Sequence, residues 1–144
     1  MIVDASLVID VVADPGPRGV AARAALAAVP AAEQLTAPGH FAFEVMSGLG
    51  AAANRPNHPL RPADLALALE AAEALEIVIE ATPWLDVHRA WALAQGSLRY
   101  ADAIYVAAAE RHAAALLTAD TQIERSGALI KCEVITVVSP PERR

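Results

Sequence analysis

Four carboxylates stand out by where they fall in the chain. Asp4 follows the apolar run Ile2-Val3, and Asp120 lies two residues after Leu116-Leu117-Thr118. Asp102 falls in the first turn of a helix beginning near Tyr100, and Glu44 sits one turn into a segment beginning at His40. In an open parallel sheet, sites form outside the carboxyl ends of the strands, so these acids would converge on one sheet edge. Glu44, three residues after Phe41 and five before Leu49, borders an apolar stripe rather than facing solvent squarely. Asp102 precedes Val106 by four residues and Ala109 by seven, on a face that is otherwise small and apolar. Four gathered carboxylates repel one another: at ~4 Å each pair costs on the order of 4 kcal/mol at an effective dielectric near 20. They need protonation, arginine neighbours or divalent cations, and all-oxygen ligands select Mg²⁺ or Mn²⁺ over zinc. Plainer roles stay open for each: helix caps for Asp102 and Asp120, an Asx turn for Asp4, a partly solvated helix position for Glu44.

The elements that must position these acids are short. Ile2-Val3-Asp4 reads as a buried first strand. From Ala5 to Val12 a helix capped by Ser6 competes with a further strand, because Leu7-Val8-Ile9 is rich in β-branched residues. Asp14-Pro15-Gly16-Pro17 ends that stretch. Arg18 to Val29 is an alanine-rich helix, and Gln34 to Ala37 a second strand stopped by Pro38-Gly39. His40 to Ala53 is helical, with Phe41, Val45 and Leu49 at intervals of four. Asn54 to Pro62 is a proline-rich loop, followed by a helix from Pro62 to about Leu75. Glu76 to Glu80 is the third strand. Thr82 as N-cap and Pro83 at the first helical position open a helix to about Gln95. Tyr100 to His112 is helical, Leu116 to Thr118 is the fourth strand, and Val134 to Val138 the fifth. Short strands alternating with helices predict a three-layer α/β/α sandwich around a parallel sheet of about five strands.

Length and composition bound the rest. The 144 residues suit one domain. With 56% hydrophobic but 4% aromatic residues, and 35 alanines, the core is aliphatic and its helices approach closely. Such apolar content excludes intrinsic disorder. The longest stretches free of Asp, Glu, Lys and Arg, Gln34 to Phe43 and Val45 to Asn54, fall far short of the ~20 residues of a membrane span. The start, Met1-Ile2-Val3-Asp4, places no basic region before a hydrophobic run, and the single Cys132 can form neither an internal disulfide nor a thiolate metal site. The expected setting is reduced and cytoplasmic. A net charge of −6 argues against a broad electrostatic grip on nucleic acid.

At this point a family becomes recognisable. Met1-Ile2-Val3-Asp4-Ala5-Ser6 resembles the opening of PIN-domain proteins, in particular the VapC toxins of type II toxin–antitoxin pairs. Phe43-Glu44-Val45 is similar to that family's glutamate at the start of its third helix. The nearest match is Tyr100-Ala101-Asp102-Ala103-Ile104-Tyr105-Val106-Ala107-Ala108-Ala109-Glu110. Leu116-Leu117-Thr118-Ala119-Asp120 resembles the family's strand-then-aspartate signature, and Val134 to Val138 falls where the family has a strand. The resemblance runs the length of the chain, as a single PIN-like domain over 1–144.

That resemblance implies a sheet of order 3-2-1-4-5 and a divalent-metal-dependent endoribonuclease whose acidic pocket is Asp4, Glu44, Asp102 and Asp120. Asp4, Asp102 and Asp120 would hold one or two Mg²⁺ or Mn²⁺ ions, which would acidify bound water and stabilise transition-state charge. Glu44 would orient that water or complete a second metal position. Ser6 and Thr118 would bond to the carboxylates and fix their rotamers, unless Thr118 is an ordinary strand residue. The family also implies an RNA substrate, a homodimer, and a cognate VapB-type antitoxin whose basic tail lies over the pocket. In such pairs the antitoxin carries the DNA-binding module, so this chain is not expected to bind DNA alone.

The remaining features are weaker. Arg55, Arg61 and Arg99 are candidate phosphate contacts, against the plainer reading of solvated surface arginines. His40, His58, His88 and His112 have no ligand spacing, which favours surface or helix-packing roles. Trp84 and Trp91 are seven apart on one helix and read as core or interface residues rather than base-stacking ones. A haloacid-dehalogenase-like phosphatase would need an acid where Ser6 stands. A receiver domain would need adjacent acids at Asp4-Ala5 and an acceptor aspartate at Glu80-Ala81, and has neither. A catalytically inert PIN-like binding module remains the alternative, although such a module would be expected to have lost acids.

Overall fold

A computed structural model describes residues 1–140; the last four residues of the expected 1–144 domain lie outside them. The chain runs β1 (Ile2–Val3), α1 (Ala5–Ala13), α2 (Pro17–Ala27), β2 (Thr36–Pro38), α3 (Phe41–Ala53), α4 (Leu65–Glu73), β3 (Val78–Glu80), α5 (Trp84–Leu93), α6 (Tyr100–Arg111), β4 (Leu116–Thr118), α7 (Gln122–Arg125) and β5 (Val134–Thr136), with a 3₁₀ turn over Pro62–Asp64 leading into α4. All strand pairs are parallel and the order is β3-β2-β1-β4-β5, as expected. Ile2 is in register with Thr36 on one side and Leu116 on the other, so β1 is central.

Burial follows from that order. The central strands β1 and β4 are fully buried, whereas the edge strand β3 exposes Val78 and Ile79. Right-handed crossovers between parallel strands place α1 to α4 on one face and α5 and α6 on the other; α1 packs on α2, α3 and α4, and α5 on α6. Helix α6 is buried nearly all round: Ala103, Ala108 and Ala109 are solvent-free, and methyl side chains let it lie close to β1, β2 and β4. An alanine-rich core thus brings a helix carrying Asp102 against the strand that ends at Asp4.

Several boundaries differ from those read in the sequence, each for a physical reason. The stretch after Asp4 is helix, not strand, and its cap is Asp4 rather than Ser6: the Asp4 carboxylate accepts the Ser6 amide at 3.4 Å. Helix α5 starts at Trp84, one residue late, with an extended Pro83 as its N-cap. Thr82 does not cap it, because its Oγ1 accepts from the Gly39 amide instead. Strand β3 starts at Val78 because Glu76 adopts a left-handed φ of 55° at the end of the preceding turn. Strand β2 includes Pro38, which tolerates the last strand position where its missing N–H does least harm. The short α7 has no counterpart in the sequence reading. Trp84 and Trp91 are not core: 77% and 60% exposed, they stand on the outside of α5, and Trp91 stacks on Tyr100 at 5.9 Å. Among the described residues no helix is long and apolar enough to cross a membrane.

Candidate active site

Chain order β3-β2-β1-β4-β5 sends the crossovers from β1 and β4 in opposite directions, which opens a crevice at the carboxyl ends of those two strands. Asp4 and Asp120 leave the sheet on either side of it, with the Asp4 amide still bonded to the Leu117 carbonyl at 3.0 Å. Helix α3 brings Glu44 in its first turn and α6 brings Asp102 in its first turn. All four acids line one cavity of about 370 Å³, with Ser6, Phe43 and Arg99. A larger hollow, about 490 Å³ between Val12 and Leu60, carries no buried carboxylate and is not the chemical centre.

Asp4 and Asp102 are the most enclosed of the four, each 4% exposed. Asp4 Oδ2 accepts from Thr118 Oγ1 at 2.6 Å and from Ser6 Oγ at 2.8 Å. Both hydroxyls are themselves held, Thr118 Oγ1 by the Asp120 amide at 2.9 Å and Ser6 Oγ by the Ala119 amide at 3.2 Å. Two oriented hydroxyls therefore lock one carboxylate rotamer and tie β1 to the turn that carries Asp120. Thr118 is thus not an ordinary strand residue. Burial pushes the Asp4 carboxyl up, against those hydrogen bonds, with the Glu44 charge adding to the rise.

Burial pushes Asp102 up to about 6 against the hydrogen bond and charge of Arg99, with smaller rises from the charges of Asp4 and Asp120. Arg99 is the cation of the site. Its Nε donates to Asp102 Oδ2 at 2.9 Å and its Nη2 to Asp120 Oδ2 at 3.0 Å, so one guanidinium bridges two of the four acids.

Glu44 behaves differently. Burial alone would raise its carboxyl, but the His40 imidazole and the Tyr105 hydroxyl beside it win and hold it below the usual range. His40 Nε2 stands 3.2 Å from Glu44 Oε1, yet its hydrogen bond is directed to the Ala101 carbonyl at 3.1 Å. Glu44 Oε1 and the fully buried Tyr105 Oη are left without a well-aligned partner: they lie close enough to bias each other's charge but not to satisfy each other. A buried acceptor without a donor costs ~1–3 kcal/mol.

The donor set fits a hard divalent cation. Every acid offers oxygen, Glu44 has an orphaned acceptor, and a protein cation already stands between Asp102 and Asp120. No three of the described acidic, histidine or cysteine side chains are gathered to share one ion.

Two neighbours of the site were not read as such in the sequence. His40 packs on Tyr105 with ring centroids 4.7 Å apart, and the helical spacing of His40 to Glu44 and of Asp102 to Tyr105 carried the signal. Of the three arginines proposed for phosphate, only Arg99 lines the acidic cavity. Arg55 lines a separate hollow with Pro56, Asn57 and His58, and Arg61 pairs with Asp64.

Comparison with known proteins agrees with this geometry. The model of the PIN domain family matches residues 1–129. Among solved structures, a toxin–antitoxin complex from Klebsiella pneumoniae is 26% identical with a TM-score of 0.63, covering 96% of this chain and 98% of that one. VapC20 of Mycobacterium tuberculosis, described as a sarcin–ricin loop cleaving toxin, is 17% identical with a TM-score of 0.67 over the same shares and is similar in fold. No curated protein sequence matches the chain. The sheet order, the crevice between β1 and β4 and the family match together place this chain in the PIN domain family.

Proposed function

We propose that this protein is a divalent-metal-dependent endoribonuclease, a VapC-like toxin of a toxin–antitoxin pair, built as a single PIN domain over 1–144. The observation that carries this reading is the convergence of Asp4, Glu44, Asp102 and Asp120 on one cavity with a single arginine among them. Asp4, Asp102 and Asp120 would hold Mg²⁺ or Mn²⁺, and a bound ion would supply Lewis acidity, acidifying water and screening transition-state charge. Asp4 is presented in one rotamer by Ser6 and Thr118. Glu44, held ionised, accepts the hydrogen bond of an attacking water and orients it. His40 and Tyr105 keep that carboxylate charged and in place.

The solved toxin–antitoxin neighbour supports a VapB-type antitoxin as partner, and an acidic cavity is suited to receive an arginine from it. Exposed Trp84, Leu85 and Trp91 on α5 offer apolar area for a homodimer. The substrate is RNA, direct DNA binding is left to the antitoxin, and the setting is cytoplasmic.

The test is incubation of antitoxin-free protein with total RNA in Mn²⁺, in Mg²⁺ and in EDTA. Discrete cuts that depend on the ion are expected. Folded protein that leaves the pool intact under all three conditions would point to the inert binding module.

A further inference from the structure

Arg99 occupies an unusual position for a residue of a metal site. Its guanidinium bonds Asp102 Oδ2 at 2.9 Å and Asp120 Oδ2 at 3.0 Å, yet the side chain is 70% exposed. It lines both the acidic cavity and an adjoining hollow of about 430 Å³, bounded by Ser97, Gln122 and the same Asp102 and Asp120. Both oxygens it holds belong to carboxylates that the nuclease reading assigns to the metal. Among the described residues no three ligating side chains are gathered for an ion.

We propose that Arg99 is a displaceable internal counter-ion: Mg²⁺ or Mn²⁺ enters only as the guanidinium leaves Asp102 and Asp120 for solvent. The inference rests on the nuclease reading and adds a competition within it. In the metal-free protein Arg99 offsets the repulsion among the acids, and it does so through a planar fork that spans two carboxylates. An exposed arm makes departure easy, since ion pairs open to solvent are weak. Lysine, a point charge with no fork, holds one carboxylate at a time and competes less well. Metal affinity is therefore set by what the ion gains less what Arg99 gives up.

The experiment measures Mn²⁺ affinity by the electron spin resonance of free Mn²⁺, for wild type, Arg99→Gln, Arg99→Lys and Asp102→Asn, each checked for folding by circular dichroism. It also follows the Arg99 Nε–H signal, assigned by its absence in Arg99→Gln, through a Mg²⁺ titration of the wild type. Competition predicts affinity at least about fivefold tighter in Arg99→Gln, an intermediate value in Arg99→Lys, and a shift of the Nε–H signal that saturates with the ion. Equal affinity in wild type and Arg99→Gln with loss in Asp102→Asn would overturn the competition and leave the nuclease reading standing. An Nε–H signal unmoved at Mg²⁺ saturation would overturn it equally. If neither wild type nor Arg99→Gln bound Mn²⁺, both readings would fall together.

Discussion

Two regions of this molecule treat their buried carboxylates in opposite ways. Where α5 and the edge of the sheet meet α6, Asp86 is 2% exposed and accepts two bonds from Arg111 Nε, at 2.9 and 3.1 Å. Glu80 pairs with the same arginine and with His112, and Glu110 is held by both Arg89 Nε, at 2.7 Å, and Arg89 Nη2, at 3.0 Å. Those bonds outweigh burial and hold Glu80 and Glu110 below the usual carboxylate range. At the cavity, four acids share Arg99 and a histidine, and Asp4 and Asp102 are pushed up instead. Compensated carboxylates fasten two helices together. Undercompensated ones store a demand for cations, which a structural junction has no reason to carry and a metal-dependent site does.

The comparison can be broken from either side. The largest effect belongs to Asp4→Asn, which removes an oxygen charge from the most rigid acid. Metal-ion stabilisation is worth several kcal/mol, so cleavage is expected to fall by about a thousandfold or more, read as the rate of appearance of discrete RNA fragments. The fold should survive, because Asn keeps an oxygen for Thr118 and Ser6.

Next is Asp86→Ala at the junction, which leaves the Arg111 guanidinium without its buried partner. A loss of about 3 kcal/mol in urea unfolding is expected, with the cleavage rate per folded molecule unchanged. Equal loss of rate would show that the junction and the cavity are not separable.

A third prediction uses pH. In EDTA, the folded-state carboxyl of Asp102 titrates near 6 against an unfolded value of 3.8, so between those values the native state binds more protons than the unfolded one. Its contribution is fully present below pH 3.8 and is lost as pH rises through about 6, by on the order of 3 kcal/mol. Glu80 and Glu110, held low, run the other way: their contribution is present above about 4.5 and lost as pH falls. Asp102→Asn is expected to remove the downward slope between pH 4 and 6 and to make the metal-free protein more stable at pH 7. Unfolding free energies measured across that range with an unchanged slope would contradict the assignment.

The smallest effect is expected for Arg61→Ala. Arg61 pairs with Asp64 in full solvent and lies away from the cavity, so neither the unfolding midpoint nor the cleavage pattern should move measurably.

The cavity half of this contrast was legible in the chain itself; the ion-paired junction was not. The four acids at one edge followed from short apolar runs ending in polar residues, while the strand order and the roles of the Ser6 and Thr118 hydroxyls came from the resemblance to a family. What escaped was set by contacts between residues far apart in sequence. Thr82 carries a good capping side chain, yet an amide on Gly39 takes it. Ser6 looks like a cap, but its hydroxyl is needed by Asp4. Trp91 gives no sequence sign that its partner is Tyr100 rather than the core. Arg99 could be placed near Asp102 by its spacing of three, but its second bond, to Asp120, crosses from α6 to the turn after β4. Local patterns locate a carboxylate; its charge balance is settled only when the elements assemble.

The most direct test of that balance sets Asp102→Asn beside Asp86→Asn, at equal concentrations of folded protein, in RNA cleavage with saturating Mn²⁺. Both acids are buried and both meet an arginine. The account predicts that Asp102→Asn abolishes the Mn²⁺-dependent cuts while Asp86→Asn keeps them at near wild-type rate and only unfolds more easily. Full activity in Asp102→Asn, or lost activity in folded Asp86→Asn, would contradict it.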